Sequence, residues 1–308
     1  MENIKIIKPS AITLGNFDGF HKGHMKLINK TNDYAKKNNL LSLIFTTTPA
    51  ASKFFGNEKK KILESKSFFV KKYNLCDVFI RYPFDDNFAK TLPLDFLFMI
   101  KNKFNAKAII IGENYRFGKE AKGDISLIKE FANEHGIHLE VISLEQENGE
   151  KISSTIIRKF ISDGDIEKAN SFLDYAFFKT GIVTKTDGRG AEIGFPTANL
   201  NLNNEALYPK FGVYITKTTL LGKTFNSVTN IGPKPTFDVL SPQIETHILD
   251  EKFEDLYGNF IEVSFYKKIR ETIKFNSIEE IKKQINLDIE IAKDYFKQEK
   301  IINANTKI

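Results

Sequence analysis

The sequence predicts an α/β half over residues 1–174 and an all-β half over residues 175–308 that ends in one helix. Three observations carry that reading. Short apolar runs alternate with helical patterns up to about residue 173, the signature of a parallel sheet with helices on its faces. Beyond Tyr175 strand patterns follow one another through turn residues with no helix between them, which suits an antiparallel barrel or sandwich. From Ser277 onward apolar residues recur at helical spacing. A length of 308 residues fits two cores better than one.

The first half opens on the apolar pair Ile12 and Leu14, a glycine-rich bend, and a helix whose inward positions are 27, 28, 31 and 35. Buried strands are expected at residues 40–45 and 106–112, and another strand at 138–144. Asp124 is placed to cap a helix that Gly136 closes, and helices are expected at about 155–162 and 165–173. In the second half the expected strands are 178–185, 212–220, 225–231, 243–250 and 259–269. The last helix begins with the capping box Ser277-Ile278-Glu279-Glu280. Its stripe of Ile278, Ile281, Ile285, Ile289, Ala292 and Phe296 faces a core, and the polar tail from about Glu299 is expected to fray.

Composition narrows the class. With 41% apolar and 27% charged residues the chain is globular. A single cysteine, Cys76, rules out an internal disulfide. Apolar runs are far shorter than a membrane span and the charged N-terminus has no secretion core, so a cytoplasmic location with no membrane partner is expected. The net charge of +6 is scattered among acidic residues without a basic tract or an RNA-binding signature, so no nucleic-acid partner is expected. Phosphorylated small ligands suit such a surface equally well.

The bend Gly15-Asn16-Phe17-Asp18-Gly19-Phe20-His21-Lys22-Gly23-His24 is the most informative segment. Strand, bend and helix start bring backbone N–H groups and the positive end of a helix to one place, which suits a phosphate. His21 and His24 share a face if that turn is helical, and two imidazoles there can bond phosphate oxygens whose charge grows during reaction. The plainer alternatives are two exposed turn histidines, or a metal pair that lacks a third ligand at the usual spacing. Gly112-Glu113-Asn114-Tyr115-Arg116-Phe117-Gly118 follows a strand and offers the Asn114 amide and the Arg116 fork, or else is an ordinary turn. Ile152-Ser153-Ser154-Thr155-Ile156-Ile157-Arg158 starts a helix. There Ser153 or Ser154 is either a cap or, with Arg158 one turn on, part of a phosphate cradle.

In the second half Gly188, Gly190 and Gly194 tempt a dinucleotide reading, but their spacing is wrong and no βαβ unit follows. They suit instead a flap whose backbone approaches phosphates closely. Thr197 and Asn199 lie two apart on one side of an extended segment, oxygen ligands of the kind Mg²⁺ takes, or simply a turn and a strand. Alternation over residues 244–250 puts Glu245, His247 and Leu249 on one face and Ile244, Thr246 and Ile248 on the other. Glu245 is then either a solvent-facing charge or a partly buried base.

Taken together the first three motifs, with Phe84-Asp85-Asp86-Asn87-Phe88-Ala89 and Gly123-Asp124, resemble the adenylyltransferase half of bacterial bifunctional riboflavin kinase/FAD synthetases. The run Gly194-Phe195-Pro196-Thr197-Ala198-Asn199, then Gly212-Val213-Tyr214, Asn230-Ile231-Gly232, Pro235-Thr236-Phe237, Glu245 to Asp250, Asp255-Leu256-Tyr257-Gly258, Arg270-Glu271 and Lys274-Phe275 resemble riboflavin kinase over its full length. The resemblance implies a Rossmann-like nucleotidyltransferase domain with a parallel sheet, and a six-stranded antiparallel β-barrel carrying a C-terminal helix. It implies an enzyme that phosphorylates riboflavin to FMN and then adenylylates FMN to FAD, releasing pyrophosphate, with ATP as co-substrate and Mg²⁺ at the phosphates.

On that resemblance His21 and His24 stabilise charge on the phosphates, over a backbone cradle from Gly15, Asn16, Phe17, Asp18 and Gly19. Asn114, Ser154, Thr155 and Arg158 hold the nucleotide and the leaving pyrophosphate. Thr197 and Asn199 contact Mg²⁺ and ATP phosphates beside the flap of Gly188, Gly190 and Gly194, and Glu245 is the general base. One segment departs from the family. Where it carries F-x-P-H-P, this chain has Phe45-Thr46-Thr47-Thr48-Pro49, with Thr47 and Thr48 in place of Pro and His. Threonine can bond a phosphate but brings no cation and no rigid turn. Two rival readings keep fewer roles for these residues: a riboflavin kinase with a weak or scaffold-only first half, and a non-catalytic flavin-binding regulator.

Overall fold

A computed structural model describes residues 5–48, 56, 59–143, 146–147, 150–185, 189–201, 207–234, 241–251, 253 and 256–305. The chain forms two compact units, Met1–Lys60 with Ser65–Ser154, and Lys61–Glu64 with Thr155–Ile308.

The first unit is built on a parallel sheet of β1 (Ser10–Leu14), β2 (Leu41–Thr48), β3 (Val78–Pro83), β4 (Ala106–Gly112) and β5 (His138–Ile142), in the order β3-β2-β1-β4-β5. In register, Ile12 lies between Leu43 and Ile109, and Leu14 lies beside Phe45. These residues are buried with Ile111, Phe96, Phe104 and Phe131 in one core. The connecting helices are α1 (Lys22–Lys37), α2 (Lys66–Tyr73), α3 (Asp86–Ala89), α4 (Pro93–Lys103) and α5 (Ile125–His135). Local chemistry sets their ends. The Asp124 carboxylate accepts from the Leu127 N–H at 3.1 Å, and Gly136 closes α5 at φ 61°. Helix α1 buries Leu27, Ile28, Thr31 and Ala35, the four positions its sequence spacing marks. The order of strands reverses between β1 and β4, so the loops leaving their C-terminal ends flank the crevice where ligands of such sheets bind.

The second unit contains α6 (Ser154–Asp163, its first residue grouped with the first unit), α7 (Ile166–Leu173) and a closed barrel. Its strands are β8 (Phe178–Thr184), β9 (Ala198–Asn201), β10 (Gly212–Leu220), β11 (Lys223–Lys234), β12 (Ser241–Ile248) and β13 (Phe260–Arg270); the short pair β6 (Gln146–Glu147) and β7 (Glu150–Lys151) stands apart. All barrel pairings are antiparallel. The interior is partly polar. Thr216, Thr218, Ser227, Thr229 and Thr246 are fully buried and bond one another through their hydroxyls, so none carries an unmet desolvation cost. Lys179 is enclosed as well, and its ammonium pairs with Glu64 at 3.2 Å. Helix α8 (Arg189–Glu192) precedes β9.

The last helix, α9 (Ile278–Asn305), packs Ala292 and Phe296 against Val213, Ile215, Val228 and Leu249. Two expectations change here. Ile278 is 53% exposed, because the stripe meets the barrel only after the first turn, and the helix runs on past Glu299 to Asn305. In the capping box the Ser277 hydroxyl accepts from Glu280 N–H, while the Glu280 carboxylate accepts from the N–H of Asn276, one residue earlier than the standard pairing. The helix is fastened by a bidentate pair: Arg270 Nε and Nη2 donate to Asp288 at 2.7–3.1 Å, and Gln284 donates to the same carboxylate at 3.0 Å. Asp288 is 2% exposed. Asp288→Ala therefore leaves a mostly buried guanidinium uncompensated, and a loss of about 3–5 kcal/mol is expected from the urea midpoint. A loss under about 1 kcal/mol would show that the pair is only a surface contact.

Candidate active sites

The bend after β1 is rigid because it is buried. Phe17 and Phe20 adopt the left-handed region at φ 47° and 40°, flanking Gly19 at φ 84°. Each non-glycine residue there costs about 1–3 kcal/mol. Burial offsets this: both side chains are inaccessible, their rings stack at 5.9 Å, and Phe20 stacks on Phe69 at 4.9 Å. The bend delivers His21 as the N-cap of α1, its Nδ1 accepting from the His24 N–H at 3.4 Å. The two imidazoles stack at 3.6 Å, with the edge of Phe17 against His24 at 5.2 Å. Exposed turn histidines are therefore excluded, since His21 is buried. Burial first, then His21 and the Lys66 ammonium, hold His24 well below the ordinary imidazole pKa. Its enclosed Nδ1 has no hydrogen-bond partner among the described residues.

The Ser154 hydroxyl donates to the Asp18 carbonyl at 2.8 Å, joining the first and third motifs. Thr155 is exposed and Arg158 half-buried on α6, within the second unit. Asn114 is exposed on the loop after β4, and Arg116 pairs with the capping carboxylate of Asp124 at 3.3 Å. Beside this loop lies a cavity of about 380 Å³. Its walls are mainly aromatic, with Phe45, Phe84, Phe88, Phe96, Tyr115 and Phe117, and Gly15, Asn16 and Thr47 also line it. Desolvation pushes the Tyr115 phenol upward, so it is neutral at physiological pH.

In the barrel, Asn199 of β9 lies opposite Glu245 of β12, and Glu245 lies opposite Asn230 of β11. Partners in register point to one side of the sheet, so Asn199, Glu245 and Asn230 form a polar stripe while Thr246 and Ile244 fill the interior. The Asn199 amide donates to Thr197 Oγ1 at 3.3 Å and its oxygen accepts from Gln243 at 2.6 Å. Asn199 is buried, whereas Thr197 and Glu245 are half-buried. The flap is anchored by His247, whose Nδ1 meets the Pro196 carbonyl at 2.8 Å, and by the Phe195 N–H, which donates to the Gly190 carbonyl. A Cβ on Gly190 would meet the Phe195 oxygen at 2.6 Å, which is why a glycine sits there. Gly188, Pro235 to Phe237 and Asp255 lie outside the described residues.

Known proteins share both units. The family model for FAD synthetase matches residues 3–156, and that for riboflavin kinase matches residues 173–296. A bifunctional riboflavin kinase/FMN adenylyltransferase from Buchnera aphidicola is 36% identical over 304 residues, covering 95% of this chain and 96% of that one. The chain belongs to this bifunctional family. Relatives of the same name from Bacillus subtilis and Escherichia coli K12 are 34% and 33% identical, each covering 93% of this chain and 92% of the relative. The crystal structure of a macrolide-efflux protein from Streptococcus pneumoniae superimposes with a TM-score of 0.82 at 27% identity, over 95% of this chain and 96% of that one. Among the described residues no helix is long and apolar enough to cross a membrane.

For a riboflavin kinase/FMN adenylyltransferase, sequence reasoning marks the bend after β1 and misses the aromatic cavity. Of its six aromatic walls only Phe96 lies outside the segments named above, but those segments are separated in sequence and nothing in their spacing shows that their rings meet around one cavity. Sequence reasoning also misses Gln243, which fixes the Asn199 amide, and Lys66, which reaches the β1 bend from α2. The signal available was the abundance of phenylalanine, 28 residues against no tryptophan.

Proposed function

We propose that riboflavin is phosphorylated at the barrel and that the FMN so formed is adenylylated at the first unit, with residues 1–174 and 175–308 as the two functional halves. The single observation that carries the reading is that each unit presents a built polar site in the place its family model covers: the stacked His21–His24 pair on the bend whose Gly15 and Asn16 line an aromatic cavity, and the Asn199–Glu245 stripe. In the barrel, Glu245 takes the proton from the terminal ribityl hydroxyl as that oxygen attacks the γ-phosphorus. The bond from γ-phosphorus to the β-bridging oxygen breaks and ADP leaves. Because the transferring group is loosely bonded in the transition state, positioning outweighs the base.

Thr197 Oγ1 and the Asn199 oxygen are hard donors, and a carbonyl that accepts from Gln243 keeps a second lone pair. These two residues fit Mg²⁺, which would neutralise charge on the phosphates of bound ATP. The flap at Gly190 and Gly194 brings backbone N–H groups to the same phosphates.

At the first unit the aromatic cavity takes the isoalloxazine ring, since a flat conjugated ring matches aromatic walls. A phosphate oxygen of FMN attacks the α-phosphorus of ATP, the α–β bridge breaks, and pyrophosphate leaves without a covalent enzyme intermediate. His21 and His24 bond the oxygens on which charge develops. The backbone from Gly15 to Gly19, with Asn114 and Ser154, holds the nucleotide and the leaving group. The reading places the chain in the cytoplasm, where ATP is abundant.

Incubation with ATP and Mg²⁺, supplying riboflavin in one tube and FMN in another, tests the whole reading. FMN and FAD are expected from riboflavin, and FAD from FMN. FMN alone from riboflavin would reduce the first unit to a scaffold, and no product in either tube would remove both activities.

A further inference from the structure

Adenylyl transfer brings two anions together, the nucleophilic phosphate of FMN and the triphosphate of ATP, so a cation on the acceptor side lowers their repulsion. The strand end Phe45-Thr46-Thr47-Thr48 on that side carries no charge of its own. Two cations are nevertheless tied to it. The Lys66 ammonium, at the start of α2, donates to Thr46 Oγ1 at 3.2 Å, to Asn16 Oδ1 at 3.1 Å and to the Asn16 carbonyl. The Arg81 guanidinium, on β3, donates to Thr48 Oγ1 and to Ser67 Oγ, each at 3.3 Å. These acceptors are two threonine hydroxyls, a serine hydroxyl, an amide oxygen and a backbone carbonyl, and they fix where the two cationic heads sit.

Asn16 and Thr47 line the aromatic cavity. Lys66 is therefore anchored at the end of the cavity that borders the β1 bend. Its influence on His24 places it near the histidine pair as well.

We propose that Lys66, anchored by Asn16 and Thr46, binds the phosphate of FMN as the cationic group of the acceptor side, with Arg81 at Thr48 as a second positive charge behind it. This rests on the reading of the first unit as the FMN adenylyltransferase. The threonine run is then not a loss of charge from the site. The charge enters from α2 and β3, elements far away in sequence, and the threonines are its anchors.

The test is FAD synthesis by the full chain, with FMN varied at saturating ATP. Lys66→Met is expected to raise KM for FMN about tenfold to a hundredfold, the range for losing one charge-assisted contact, with little change in KM for ATP. Lys66→Arg is expected to keep most of the affinity. Thr48→His in the Lys66→Met background is expected to recover part of it by restoring a cationic option on the strand itself. An unchanged KM for ATP in FAD synthesis by the same variants reports that the first unit is folded. KM for FMN within twofold of wild type in Lys66→Met would overturn the proposal while leaving the adenylyltransferase intact. A wild type that makes no FAD from FMN would overturn that reading and the role of Lys66 with it.

Discussion

Replacing Glu245 with alanine is expected to lower riboflavin kinase turnover by about 10²–10⁴-fold, the usual contribution of a general base. ATP affinity should change little, because Glu245 lies opposite Asn199 rather than among the oxygen donors assigned to the phosphates. Two features favour the proposed base over an ordinary strand charge at this place. It sits between Asn199 and Asn230 in register, so its neighbours on the sheet are amides that can orient it. It is also half-buried on a stripe whose other members are polar, next to a flap that His247 and Gly190 hold in place. Glu245→Gln should show the same loss with nearly the same shape, which separates lost proton transfer from lost packing. FAD synthesis from supplied FMN should be unaffected in both variants. Turnover close to wild type in either would remove the assigned role and leave positioning as the whole of the barrel's chemistry.

What the sequence encodes locally could be read directly. Asp124 and Gly136 bound α5 because a cap needs only residues within one turn. Alternation along β12 gives its two faces because the period of a strand is fixed. Apart from the short pair β6 and β7, two strands escape the sequence patterns for local reasons. Val78–Pro83 contains Arg81 and ends on proline, tolerable only because β3 is the edge of its sheet. Ala198–Asn201 is four residues long and overlaps the Pro196–Asn199 motif, so the chemistry of the segment masked its role as a barrel strand.

The functional sites divide the same way. The bend after β1 is contiguous, so residues 15–24 announce it. The aromatic cavity, the Lys179–Glu64 pair and the Lys66 and Arg81 anchors join residues up to 115 positions apart. No spacing rule brings Lys66 to Asn16, because that meeting depends on how α2 packs beside the C-terminal ends of β1 and β2. The buried hydroxyls of the barrel are a middle case. Thr216, Thr218, Ser227, Thr229 and Thr246 follow the strand period, but their place inside becomes evident only once each is seen to bond a partner across the sheet.

His24→Ala is expected to slow FAD synthesis from FMN by about 10²–10³-fold, the scale of removing one donor aimed at developing charge. The form of the imidazole follows from its surroundings. Burial, His21 and Lys66 all disfavour a proton on His24, so on the proposed reading it is a neutral donor and the cationic work falls to other groups. The sign of the pH effect is then fixed. Below the ordinary value of 6.5 the unfolded chain takes up a proton that folded His24 does not. Stability therefore falls as pH drops through that value, by at most about 1.4 kcal/mol per pH unit for this one group, until the lowered folded pKa is reached. His24→Gln should remove that component of the slope, seen as a flatter dependence of the urea midpoint on pH. The two measurements check one another. A wild-type rate of FAD synthesis that climbs as pH drops below 6.5, and does not climb in His24→Gln, would mean that the imidazolium is the working form and that the enclosed, stacked geometry of the pair has been misread.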